Sequence, residues 1–237
     1  MSLTPLPIEQ RGLFRMVGLV YPLSFIAVLL ANLALIGPLL VRGDALESAK
    51  NILAHESTFR LGILLNLLYC AASIVVLAAF YEILKRVHHT VALVATLFRL
   101  VHVVSWMIVA VELFAALRFI TYGGHAQALS GEQLFDIARI HLSGSDVYYV
   151  GLLFWSLGAT LGSVLWLRTG YIPRALALAG IVGSVWCVLC TAVYYVWPGF
   201  ADAVNLWWFD SPMVVFELVL SGWLLAKSRS AQVATSA

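Results

Sequence analysis

The sequence predicts an all-α fold: a polytopic membrane helical bundle of six transmembrane helices, with two short amphipathic surface helices on the outer side. Three observations predict it. Of 237 residues, 62% are hydrophobic and 11% charged, and mean hydropathy is +0.95, whereas a soluble domain carries about 25% charged residues. The apolar residues gather into runs of roughly membrane-spanning length, about 20 residues. Gly, Pro and charged residues punctuate the intervals between them. A single membrane domain, residues 1–237, accounts for the chain and leaves no soluble domain over.

Taken in order, residues 1–12 are polar, with Pro5, Pro7, Glu9 and Arg11, and lead into a first span over about 13–36 that Gly37-Pro38 ends or bends. That run exceeds the roughly 7–15 residues of a signal-peptide core and lacks a small-residue cleavage site, so it reads as retained. DALESAKNILAHE, from Asp44 to Glu56, sets Ala45, Ile52 and Leu53 among charges and predicts an amphipathic helix on the membrane surface. The second span, about 59–84, carries Asn66, Cys70 and Ser73 at i, i+4 and i+7, a small-polar stripe that faces other helices. The tight, positive turn of Lys85, Arg86, His88 and His89 joins it to the third span, about 91–117, as an antiparallel hairpin. In the long connection that follows, GEQLFDIARIHL has helical period, with Leu134, Ile137, Ala138 and Leu142 on its apolar side.

The fourth span, about 147–167, starts at Tyr148-Tyr149 and carries Gly158 and Gly162 as GxxxG, a close-packing signal. RTGYIPR turns the chain into the fifth span, about 175–196, which ends in an aromatic belt of Tyr194, Tyr195 and Trp197. Trp207, Trp208 and Phe209 read as interfacial, and Ser211-Pro212 as N-cap and first-turn proline of the last span, about 213–227. Arg11, Arg15, Lys85, Arg86, Arg168, Arg174, Lys227 and Arg229 then fall on one side, against Arg42, Lys50, Arg60, Arg118 and Arg139 on the other. The positive-inside rule makes both termini cytoplasmic.

The third span holds the chemistry. LFRLVHVVSWMIVAVEL sets Arg99, His102 and Glu112 in an otherwise apolar run, and an ionisable residue there costs about 2.5–3.5 kcal/mol on insertion scales unless it faces protein, water or a partner. At about 100° per residue one wide wall of the helix carries all three. Counted from the helix ends the topology implies, Glu112 and Glu217 each lie about 8 Å inside the outer end of a span. A carboxyl group in apolar surroundings holds its proton to higher pH, as an intramembrane general acid must. Glu112 and Glu217 are therefore the candidate proton donors, with Arg99 and His102 beside them as catalytic candidates. Arg60, Asn66, Trp106, Tyr194 and Tyr195 are the candidate substrate-binding residues. The competing account is that each carboxylate pairs with Arg60, Arg99 or Arg118 and ties helices together. On either account, cost requires Glu112, Glu217 and one of those arginines to form one polar cluster between the second, third and sixth spans.

Other chemistries fit less well. Cys187 and Cys190 form a CxxC, but a membrane thiol oxidoreductase needs a second cysteine pair or a partner, and only Cys70 remains. Of the six histidines, no two sit at i, i+4 within a span, so no metal and no cofactor is expected. No basic run points to nucleic acid. Transport would call for a repeated fold, and the two three-span halves share only a recurring Phe-Arg.

HESTFRLGILLNLL, RTGYIPRALALAG and PMVVFELVLSGWLL, in this order, resemble the bacterial membrane proteins of the domain of unknown function 4386 family over about residues 13–226. The resemblance implies an integral membrane protein of six or so helices in a bacterial inner membrane. It carries over no catalytic residue, and places emphasis on Arg60, Asn66, Pro173, Arg174 and Glu217 within those strings. The function expected is an outward-opening aromatic and polar cavity that binds or transforms a membrane lipid, an isoprenoid or another apolar small molecule. Its enzymatic form is acid-initiated isomerisation or cyclisation. The alternative is non-enzymatic: a small transporter, or an accessory subunit whose buried charges are structural.

Overall fold

The computed structural model describes residues 7–41, 44–122, 141–142, 145–197, 199–205 and 207–236. Among them the secondary structure is helical, with no strand: α1 (Arg11–Leu29), α2 (Ala45–Ala54), α3 (Glu56–Leu84), α4 (His89–Tyr122), α5 (Ser145–Thr169), α6 (Arg174–Val196), the single turn α7 (Phe200–Ala203) and α8 (Trp207–Ser236). Six stretches are long and apolar enough to cross a membrane: Arg11–Leu39, Glu56–Leu84, His89–Thr121, Val147–Thr169, Arg174–Val196 and Trp207–Ser228. These are the six spans expected. The helix predicted within 131–142 lies outside the described residues apart from His141 and Leu142.

The chain packs as two compact units, one of Met1–Leu23, Ala72–Val103 and Tyr149–Ala237, the other of Ser24–Ala71 and Val104–Tyr148. In the first, Phe14, Val17, Val76, Phe80, Leu165, Trp166, Leu220 and Leu224 form the buried core. Lipid offers little hydrophobic incentive for helices to associate, so close approach at small residues matters more. A Cβ added to Gly18 would come within 2.6 Å of Leu225 Cβ, and one added to Gly158 within 2.6 Å of both the Ala95 carbonyl oxygen and Arg99 Cγ.

The turn from α5 to α6 follows the chemistry of its residues. Gly170 takes φ 66°, a left-handed conformation that glycine adopts freely. Thr169 Oγ1 donates to the Trp166 carbonyl at 2.8 Å and accepts from the Tyr171 N–H at 3.1 Å. From α8, Lys227 Nζ and Trp223 Nε1 both donate to the Tyr171 carbonyl, at 2.8 and 3.3 Å.

The start of α8 corrects the sequence reading. Ser211-Pro212 does not cap the helix, which already begins at Trp207. Asn205 launches it, accepting the Trp207 N–H on Oδ1 at 3.0 Å and the Trp208 N–H on its carbonyl at 2.9 Å. Pro212 sits inside the helix. Glu217 is consequently ten residues from the helix start, about 15 Å by rise, rather than near its end.

In the second unit the first span ends just after Gly37-Pro38, as expected, with Leu40 extended, and its last turns depart from α-helical winding. Leu30–Ile36 is π-helical and Gly37–Leu39 is a 3₁₀ turn, with the Gly37 N–H bonded to the Asn32 carbonyl. α2 is capped by Asp44, whose Oδ1 accepts the Glu47 N–H at 2.9 Å. Its Ala49 and Ile52 are buried with Ile36, Phe59, Ile63, Leu113 and Leu117, while Leu46 and Leu53 are exposed. Protein therefore covers much of the apolar side that was expected to rest on a membrane surface. Exposed apolar residues such as Leu33 and Val111 here, and Leu23 and Val182 in the first unit, suit contact with lipid.

Candidate functional site

Arg99 reaches its position because the residues around it are small. Ala92 and Ala95 on α4 and Gly158, Ala159 and Gly162 on α5 line the space with it, and the absent side chain of Gly158 makes room for the arginine stem. Arg99 Nη2 forms an ion pair with Glu217 Oε1 of α8, with side chains 11% and 2% exposed. The guanidinium carbon lies 5.3 Å from the centre of the Phe80 ring, a cation–π contact. A cavity of about 20 Å³ adjoins the pair, lined also by Thr96, Ser163 and Trp166. An ion pair in a low-dielectric setting is favourable only when its remaining polar atoms are also satisfied.

Glu112 has a different partner. In the second unit its Oε2 pairs with Nδ1 of His141, and the His141 ring stacks on Phe119 with centroids 5.5 Å apart. The two carboxylates proposed as proton donors thus carry separate partners. Arg60 pairs with Glu56 one turn away on its own helix, at 2.7 Å, and Arg118 is exposed.

The other candidates are placed as follows. His102 is buried in the first unit, stacked on Trp155 at 5.3 Å with planes 16° apart and hydrogen-bonded to the backbone of Gly151. Asn66 is fully buried and accepts from Asn32 Nδ2 at 2.9 Å, while Asn32 Nδ2 also donates to the Val28 carbonyl at 2.8 Å. This is the interhelical bond such residues ordinarily make in membranes. Trp106 stands edge-on to Tyr69 at 5.6 Å and to Tyr148 at 5.8 Å. Tyr194 packs on Tyr149 at 4.5 Å and near Phe209 at 6.2 Å, whereas Tyr195 is exposed. Cys70, Cys187 and Cys190 are buried and form no disulfide among the described residues. Among the described residues no group of three His, Cys, Asp or Glu is placed to hold a metal ion.

One feature on no sequence-based roll of candidates is a groove of about 620 Å³ in the first unit, lined by Val182, Gly183, Trp186, Val204, Trp208 and Pro212. Trp186 Nε1 donates to the Trp208 carbonyl at 2.7 Å across it. Val182 and Trp186, one turn apart on α6, were the available signal. What concealed the groove is that nothing local to α6 tells which residues of α8 it meets. Ser163 was overlooked for a similar reason, since a serine among glycines and alanines reads as packing.

A family model described as Domain of unknown function (DUF4386) matches residues 16–228. Neither the curated proteins nor the solved structures contain a match.

Proposed function

We propose that this chain, which belongs to the domain of unknown function 4386 family, binds the apolar tail of a lipid or isoprenoid in the groove between Trp186 and Trp208. Size is the observation that supports this reading. Ligand sites occupy about 300–1,000 Å³, and the groove offers about 620 Å³. The space beside Glu217 is about 20 Å³, on the scale of one water. An acid-initiated isomerisation or cyclisation at that carboxyl would need a hydrocarbon substrate against it, so we assign Glu217 no such role. The groove's walls are apolar and aromatic, and its exposed Val182 and Trp208 open it to the medium that supplies such tails.

In this proposal the protein resides in a bacterial inner membrane with both termini cytoplasmic, which puts the groove at the outer end of α8, against the middle of α6. The Arg99–Glu217 pair supports a second, compatible role for the buried charges, holding α4 to α8 as a structural tie. The test is lipid mass spectrometry of protein purified from its membrane. Wild type and Glu217→Gln should retain an apolar molecule enriched over bulk lipid, and Val182→Trp, which fills the groove, should lose it. Recovery of bulk lipid alone from all three would overturn the assignment.

A further inference from the structure

We infer that the cavity bounded by Arg99, Glu217 and Ser163 is a binding site for a single water molecule, with Ser163 as its positioning residue. The inference starts from hydrogen bonds. Ser156 and Thr160, on the same helix as Ser163, donate their hydroxyls to carbonyls one turn back, at 2.8 and 2.9 Å. Ser163 makes no such bond: its Oγ is buried, with no hydrogen-bond partner among the described residues, and the residue is 1% exposed. Glu217 Oε2 is likewise buried without a hydrogen bond among them. Both residues line the same cavity, together with Arg99 and Thr96. Thr96 gives its own proton to the Ala92 carbonyl at 2.8 Å, which leaves its oxygen able to accept.

Buried polar groups in proteins are rarely left unmatched. A site holds a water when it offers room of about 10–15 Å³ and two to four polar partners. About 20 Å³ is present here, with a hydroxyl, a carboxylate oxygen, a second hydroxyl oxygen and a guanidinium around it. The charges discriminate between small occupants. Arg99 is already neutralised by Glu217, so the site carries no net positive charge for an anion. A free carboxylate oxygen repels a halide and accepts from water. Water satisfies the second carboxylate oxygen and the Ser163 hydroxyl together, which is what a desolvated ion pair requires.

Infrared difference spectroscopy of the full chain in lipid bilayers, in ordinary water and in ¹⁸O-labelled water, reads this site. Wild type should show an O–H stretching band that shifts with the label, and Ser163→Ala should lose it. Ser163→Val, which fills the hydroxyl's place with a methyl group, is the second variant and should lose it as well. A label-sensitive band that survives in both variants, or none in wild type, overturns the inference. So does a wild-type spectrum indifferent to the label but altered when chloride is exchanged for bromide, because the occupant is then an anion.

Discussion

Trp186 and Trp208 are joined by a hydrogen bond that a proline makes available. In an α-helix the N–H of residue 212 would bond the carbonyl of residue 208, and Pro212 has no N–H to give. The Trp186 indole on α6 takes that carbonyl instead, at 2.7 Å. An interruption within α8 thus becomes a link to α6 at the edge of the apolar groove.

The link predicts a double-mutant result. Trp186→Phe should cost about 1 kcal/mol or more by leaving a carbonyl unpaired in an apolar setting. In a Pro212→Ala background, where the helical N–H is restored, the same change should cost much less. Unfolding titrations in mixed micelles measure the coupling, and a value under about 0.3 kcal/mol, the usual scatter of additivity, would show that the indole and the proline act independently.

The Arg99–Glu217 pair predicts an asymmetry between breaking and removing it. Glu217→Gln removes the carboxylate paired with a buried guanidinium and should lower the unfolding free energy by about 3–5 kcal/mol. Replacing both partners, Arg99→Met with Glu217→Leu, should recover most of that loss, because well-packed apolar residues avoid the desolvation of two ions. A double variant no more stable than the single one contradicts this account.

Two glycines a turn apart in α5 should behave differently. A Cβ at Gly158 meets the Ala95 carbonyl and Arg99 Cγ at 2.6 Å, whereas one at Gly162 meets nothing within 4 Å. Gly158→Ala is therefore expected to cost about 1–3 kcal/mol through overpacking, and Gly162→Ala to stay within about 0.5 kcal/mol. Thermal unfolding of the two variants side by side checks the difference, and equal melting shifts would mean that α4 and α5 do not meet as closely as the structure has them.

The six spans were legible because each is written locally, as an apolar run of the right length. The Asn32–Asn66 bond was nearly as legible, since a polar side chain in such a run must find a partner among other helices. The start of α8 was not. Trp207, Trp208 and Phe209 read as an interfacial belt and Ser211-Pro212 as a cap, although Asn205 had the turn chemistry to begin the helix earlier. The π-helical stretch Leu30–Ile36 left no mark in composition. For Glu217, three arginines were possible partners. Arg60 could have been set aside, because Glu56 stands four residues away on the same helix, but choosing Arg99 required knowing which faces of α4 and α8 meet. The groove was hidden for the same reason.

Orientation in the membrane is the last prediction, and it rests on charge. Apart from Arg99, the Lys and Arg residues divide eight to five between the two ends of the spans, and the five lie near Glu47, Glu56 and other acidic residues. Lys and Arg are retained on the cytoplasmic side, so a reporter fused after Lys227 should read cytoplasmic and one inserted at Gly131 external. Alkaline phosphatase and green fluorescent protein fusions give opposite signals for the two compartments. If both positions report the reverse, the Trp186–Trp208 groove opens toward the cytoplasm, and its tail-binding ligand has to be sought in the inner leaflet.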